Sequence, residues 1–307
     1  MFEKAIKIAR NFTFSVLESS VIVDKSEHQQ IKDKVKVVSQ NGHSTAILLN
    51  EHGDFLTCAH VFQKINKIQD NPDIMQIFQR HLDIIKSGSN EDDLIALYEQ
   101  TPNEYLLCCN LYMPYFNDEI DILSIVTKPS VDLALFRLKN MHDFSLMKYP
   151  VFSTQEIADS IGMGVCIVGY PFSKSTGRYN MEEGKYQYNL QCDYKTLYPD
   201  FGFLAALRIY QKTKNSTFPY VGEFAEISCP GFTGQSGGPI IDVEGQVHGI
   251  LSHADSPYHG RPEIMTEADE GSKAVFHRIV NHLGRGPSVK EILKFLKKNK
   301  VKFLKTT

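Results

Sequence analysis

The 307-residue chain lacks any long apolar run: stretches such as Val165-Cys166-Ile167-Val168 are far too short to cross a bilayer, which excludes a transmembrane helix. It lacks an excess of either charge. The 33 basic and 36 acidic side chains leave a formal charge of -3, so the basic footprint of a nucleic-acid binder is missing. A cleavable leader is not expected either. Lys4, Lys7 and Arg10 precede the apolar Phe12 to Leu17, but Glu18 breaks the run and no small-residue cleavage site follows. Neither a C-x-x-C pair nor H-E-x-x-H occurs, so spacing offers no zinc site, and neither metal nor cofactor is expected. What remains is the composition of an ordinary globular protein, 42% hydrophobic and 22% charged, long enough to bury a large core as one unit or two domains.

Against that background Gly234-Gln235-Ser236-Gly237-Gly238-Pro239 stands out, because it surrounds a small hydroxyl with little but backbone. Glycine at 234 and 237 lets the chain turn without a Cβ clash, and leaves the amides of Gly234 and Ser236 to face a developing oxyanion. A serine hydroxyl attacks poorly unless a base sits beside it and a third group orients the base. Upstream, the strand-like Phe55-Leu56-Thr57-Cys58-Ala59-His60 ends in an imidazole. In Val131-Asp132-Leu133-Ala134-Leu135-Phe136 a single carboxylate opens an apolar strand.

Taken in order, these blocks resemble the chymotrypsin-like (trypsin-fold) serine peptidases. Thr57-Cys58-Ala59-His60 is similar to that family's Thr-Ala-Ala-His, Asp132-Leu133-Ala134-Leu135 to its Asp-Ile-Ala-Leu, and the Ser236 loop to its Gly-Asp-Ser-Gly-Gly-Pro. Gly249 to Ala254 resembles the substrate-binding strand that follows. Within the family, Gly42 to Leu49, Val168-Gly169-Tyr170-Pro171 and Lys273 to Phe276 resemble the HtrA-type and glutamyl-endopeptidase branches. No segment after residue 285 has room for a PDZ module. The resemblance covers roughly residues 36 to 285. It implies Ser236 as nucleophile, His60 as base, Asp132 as orienting acid, and the amides of Gly234 and Ser236 as oxyanion hole.

The fold implied is mainly β: two six-stranded antiparallel β-barrels of chymotrypsin type, with a helical insertion in the first half and a C-terminal helix. The expected division is an N-terminal segment 1–33, a first barrel 34–145, a second barrel 146–285 carrying the nucleophile, and an amphipathic helix 286–307. Residues 1 to about 20 are read as a short helix on the body. The 72 positions from His60 to Asp132 exceed a minimal barrel, and Ile74, Ile77, Phe78, His81 and Leu82 share a helical stripe, so about 64–104 is read as the insertion. Ser288-Val289-Lys290-Glu291 forms a capping box. The helix after it either docks on the second barrel or lies on an anionic membrane surface.

Gly234 to Gly238 also satisfies the G-x-S-x-G pattern of α/β-hydrolases, with Asp242 and His277 as nominal partners. That fold requires a helix directly after the serine. Here Ile240-Ile241, a turn at Glu244-Gly245 and Val247 to Leu251 read as strands instead. A catalytically silent peptidase-fold scaffold is the other alternative, although all three side chains are kept.

A protein or peptide is the expected partner, through a pocket formed by Pro230, Gly231, Thr233, Leu251, Ser252, His253 and Ala254. Pro230 stands where a trypsin-like enzyme keeps an acid, and Leu251 where glutamyl endopeptidases carry histidine. Cleavage after small or apolar residues is therefore expected, with His253 as the one route to acid specificity. Cys58, Cys108, Cys109, Cys166, Cys192 and Cys229 miss the family's bridge positions, since Val61 and Phe232 occupy two of them. This indicates reduced thiols in the cytoplasm, or export without a cleavable leader.

Overall fold

The computed structural model of the protein describes residues 2–24, 36–69, 71–87, 91–99, 104–116, 118–119, 122–139, 143–180, 183, 185–190, 196–212, 220–255, 264–266, 275–277 and 283–306. Cys192 lies outside this set. The chain opens with helix α1 (Glu3–Ala9) and continues through strands β1 (Thr13–Asp24), β2 (Lys36–Leu48) and β3 (Asp54–Thr57). Three helices follow: α2 (Gln63–Gln69), α3 (Pro72–Lys86) and α4 (Glu91–Glu99). Strands β4 (Glu104–Met113), β5 (Asp118–Glu119), β6 (Ile122–Lys128) and β7 (Leu133–Leu138) complete an antiparallel sheet of order β5-β4-β1-β2-β3-β7-β6.

The second half runs through β8 (Val151–Phe152), β9 (Gly164–Gly169), the hairpin β10 (Thr176–Asn180) and β11 (Lys185–Asn189), β12 (Tyr198–Tyr210) and β13 (Gly222–Ile227). After the Ser236 loop come β14 (Pro239–Ile241), β15 (Val247–Ile250), β16 (His253–Asp255), β17 (Ile264–Thr266), β18 (Val275–His277), β19 (Leu283–Pro287), helix α5 (Val289–Lys298) and β20 (Leu304–Lys305). Its main sheet has the order β16-β19-β13-β12-β9-β14-β15-β8-β20. The architecture is the mainly β one expected, with helices inserted after β3 and a helix near the C-terminus. Both sheets exceed six strands: the first has seven, with two-residue β5 at an edge, and the second nine, with two-residue β20 at an edge beside β8.

Strand β12 shows how the second sheet curls. Tyr198 to Phe203 pair with β9 and Leu204 to Tyr210 with β13, with a register shift at Leu204/Ala206 where the strand changes partner. An irregularity of that kind bends a strand and increases its twist.

The N-terminal reading is corrected. Only Glu3–Ala9 is helical, and Thr13–Asp24 is a strand between β2 and β4. Phe14, Val16 and Leu17 are buried along with Thr13 and Ser15, so both faces of this strand are covered. A strand buried on both faces has no alternation to announce it.

The helical insertion starts α3 on Pro72, a position where the missing N–H costs nothing, while Asn71 Oδ1 accepts from the amides of Asp73 (3.0 Å) and Ile74 (3.4 Å). Its apolar stripe packs as expected: Ile74 with Ile77 and Phe78 meets Leu97 of α4, Val21 of β1 and Tyr179 of β10.

The largest core is continuous across both halves, joining Phe14, Phe55 and Phe136 to Val168, Phe224, Ile250 and Ile292. Cys58, Cys108, Cys166 and Cys229 are buried free thiols and Cys109 is half-buried. Burial pushes the thiols of Cys108, Cys166 and Cys229 up to about 12.

On α5, Val289, Ile292, Phe295 and Leu296 point into the core, so the apolar face a membrane would need is already covered. Ser288 Oγ accepts from the Glu291 amide at 3.4 Å. Replacing this fully buried cap with alanine is expected to cost about 1 kcal/mol, read as a lower urea midpoint at constant slope. An unchanged midpoint would show that the cap contributes nothing. No helix among the described residues is long and apolar enough to cross a membrane.

Candidate active site

The pairing of β3 with β7 brings His60 and Asp132 together. Thr57 lies opposite Ala134 in this antiparallel pair, so three residues onward on one strand and two residues back on the other leave the sheet at the same end. His60 sits in a short 3₁₀ turn, Ala59–Phe62, that carries its ring off the strand. Asp132 follows another such turn, Pro129–Val131, and takes a left-handed conformation with φ 52° and ψ 45°, which aspartate tolerates better than most residues.

The carboxylate is held from three sides. His60 Nδ1 lies 2.8 Å from Oδ2, the His60 amide donates to Oδ1 at 3.0 Å, and Ser252 Oγ donates to Oδ2. Asp132 is buried at 2% exposure, which alone would push its carboxyl up. The hydrogen bond and charge of His60, with the Ser252 bond, outweigh burial and hold it below the usual carboxylate range. His60 itself is 43% exposed, with its ring open to solvent.

Ser236 reaches this place from the other half. Thr45 of β2 grips its loop: the Thr45 amide donates to Ser236 O and its Oγ1 to Gly234 O, both at 2.8 Å. Gly237, at φ +87°, passes so close that a Cβ there would collide with Thr45 O and Thr57 Oγ1. Gln235 is fully buried and staples the loop, accepting from Phe232 N at 2.8 Å through Oε1 and donating to Tyr198 O at 3.2 Å through Nε2. The amides of Gly234 and Ser236 donate to no acceptor among the described residues. Ser236 Oγ donates to Ser252 O at 3.0 Å, and no hydrogen bond among the described residues joins it to His60.

Ser252 therefore links the two ends of the site, with its side chain on the acid and its carbonyl on the serine hydroxyl. Its buried side chain turns inward, away from the pocket expected at Ser252 to Ala254. His253 is likewise packed, its ring stacked 5.1 Å from Tyr220 and its Nδ1 3.0 Å from Ser252 Oγ. Leu251 is buried and fills the space beside Gly231 and Gly284, where a Cβ at either glycine would press on its methyl groups. Pro230 and Gly231 are half-buried and Thr233 and Ala254 exposed. The Gly231 amide donates to Asp200 Oδ2 at 3.3 Å. Strand β16, which carries His253 and Ala254, is the outermost strand of its sheet among the described residues and leaves one edge for an added strand.

Sequence reasoning missed Thr45 and the inward turn of Ser252, since a small polar residue in a strand carries no local signal. Helix α2 of the insertion supplies Gln63, Asn66 and Lys67, which wall a cavity of about 600 Å³ that opens onto His60 and Asp132.

The esterase alternative fails on geometry. Strand β14, not a helix, follows Ser236. Asp242 is committed to His248, whose Nε2 lies 2.8 Å from Oδ2 in the β14–β15 hairpin, and to the amides of Glu244 and Gln246. The side chain of His277 lies outside the described residues.

Two β-sheets that meet at a hydroxyl, an imidazole and a carboxylate are the frame of a serine peptidase. The chain belongs to the trypsin-like peptidase family, whose domain matches residues 44–250. No curated protein matches the chain in sequence. Among solved structures it is similar to a variant of the HtrA-type protease AlgW with a decapeptide, at 12% identity and a TM-score of 0.49, covering 98% of this chain and 68% of that one. It is also similar to the active form of the Rv3671c protease of M. tuberculosis, at 15% identity and a TM-score of 0.47, covering 98% and 86%. At these identities the structures add nothing about substrate.

Proposed function

We propose that the protein is a serine endopeptidase that cleaves protein or peptide substrates through Ser236, His60 and Asp132 by way of an acyl-enzyme. The observation that carries this reading is the 2.8 Å contact from His60 Nδ1 to Asp132, tied through Ser252 to the hydroxyl of Ser236. Asp132 fixes the proton on Nδ1 and leaves Nε2 to accept one from Ser236 Oγ as it attacks the scissile carbonyl. The developing oxyanion faces the amides of Gly234 and Ser236, and Nε2 then returns the proton to the leaving amine. Water, activated by the same imidazole, releases the acyl group from Ser236.

Substrate enters as a strand along β16, and its side chain before the scissile bond meets Pro230, Gly231 and Thr233. Leu251, filling the space beside Gly231, makes that pocket shallow and apolar, which favours small or apolar side chains. With His253 stacked on Tyr220, acid specificity has no free imidazole to serve it.

A fluorophosphonate probe is expected to label the intact protein and not its Ser236→Ala variant. Peptides cut by the wild type alone from a complex lysate are expected to end in small or apolar residues. A folded protein that never labels would instead be a silent scaffold, and strong enrichment of Arg or Glu would overturn the pocket reading.

A further inference from the structure

Cys58 stands where the resembled segment, Thr-Ala-Ala-His, has alanine, and its side chain turns toward the acid–base pair. The fully buried Sγ donates to Leu251 O at 3.2 Å. Together with one nitrogen of His60 and one oxygen of Asp132 it forms a cluster whose donor atoms all lie within 4.8 Å of one another. We propose that Cys58, His60 and Asp132 form a binding site for a thiophilic divalent cation of the zinc type, and that filling it switches the peptidase off. Binding stands on the cluster alone; the switch rests on the triad reading above.

Thiolate, imidazole and carboxylate are the donors zinc takes, at about 2.3 Å from sulfur and about 2.0–2.2 Å from nitrogen or oxygen. Those lengths place neighbouring donors about 3–4 Å apart around a tetrahedral ion, so the cluster closes with a movement of about an ångström. The half-exposed His60 ring is the member free to make it. A thiolate favours zinc over magnesium or calcium, which prefer oxygen. Three protein ligands leave the fourth position to water, and the cavity beside His60 and Asp132 is the way in. The carboxylate is already oriented by Ser252 Oγ and the His60 amide, the second ring of contacts that a metal-binding carboxylate needs.

The proton count gives the inhibition its mechanism. On binding, the S–H bond of Cys58 breaks, an S–metal bond forms, and one proton leaves to solvent. Burial, with the charge of Asp132, holds the thiol well above its ordinary range, so the ion must displace that proton. The imidazole keeps its single proton, but the metal occupies Nδ1 and the proton moves to Nε2. A protonated Nε2 cannot take the proton of Ser236.

The test uses the full chain with zinc or cobalt alone in chelator-free buffer. Stoichiometric zinc is expected to slow fluorophosphonate labelling of the wild type, and EDTA to restore it. Cys58→Ala, the residue of the resembled segment, is expected to label normally without metal and to need about tenfold more zinc or above for the same inhibition. Cobalt is expected to give a thiolate-to-metal charge-transfer band in the wild type that the variant lacks. Cys58→Ser serves as the second variant if alanine disturbs folding. Equal zinc sensitivity in wild type and variant, or an unchanged cobalt band, overturns the site. A wild type that never labels would sink the peptidase reading, while the cobalt band would still decide on the metal.

Discussion

Replacing Asp132 by asparagine should lower turnover by about four orders of magnitude while the protein stays folded. The amide has nearly the shape of the carboxylate, so the contact from the His60 backbone can persist while Ser252 Oγ turns from donor to acceptor. What changes is the partner of His60 Nδ1. An amide nitrogen turned toward the ring donates instead of accepting, and the proton shifts to Nε2, where it blocks uptake from Ser236. The measurement is kcat on a peptide identified by lysate profiling, and a fall of less than about tenfold would remove Asp132 from the mechanism.

The same variant has a stability signature. The native fold holds Asp132 below the ordinary carboxylate range, so its ionised form contributes stability above that range. That contribution is lost as pH falls through the lowered native value. The wild type should therefore lose stability on acidification that the asparagine variant, with nothing to titrate there, does not lose.

The second large effect is expected at Gly237. Alanine there meets two penalties together: a left-handed φ of +87° and a collision with the backbone oxygen of Thr45 as well as Thr57 Oγ1. A main-chain neighbour cannot swing aside as a flexible side chain can. Strain of the first kind and overpacking of the second sum to about 3 kcal/mol or more. Any relaxation must also push Ser236 away from the Thr45 amide. Gly237→Ala should therefore lower the urea midpoint and abolish fluorophosphonate labelling together, and a variant with wild-type midpoint and labelling would show that the two halves are not in close contact here.

The candidate site was legible where function demands small residues in a row. Gly234 to Pro239 and Ala59-His60 are conspicuous because a loop that must bring backbone amides and one side chain to a seam has no room for bulk. The α3 stripe and the Ser288 cap were legible because both are local, written within one helical turn. The contacts that complete the site are not local. Thr45 grips Gly234 across 189 positions, and Ser252 reaches Asp132 across 120. No periodicity records such pairs, and Ser252 in particular reads as one more residue of a substrate-binding strand. Strand β1 was missed for a different reason: its buried serines and threonine leave no apolar stripe to mark a period. The Cys58 cluster was invisible to spacing rules because its third member arrives from a separate strand, 72 positions beyond His60.

The bond from the Ser236 hydroxyl to Ser252 O holds that side chain in one orientation. One rotation about Cα–Cβ, between staggered wells, releases it, and side-chain hops of this sort take picoseconds to nanoseconds where space allows. Turning the hydroxyl away from that carbonyl breaks one bond and leaves the Thr45 and Gln235 anchors of its loop in place.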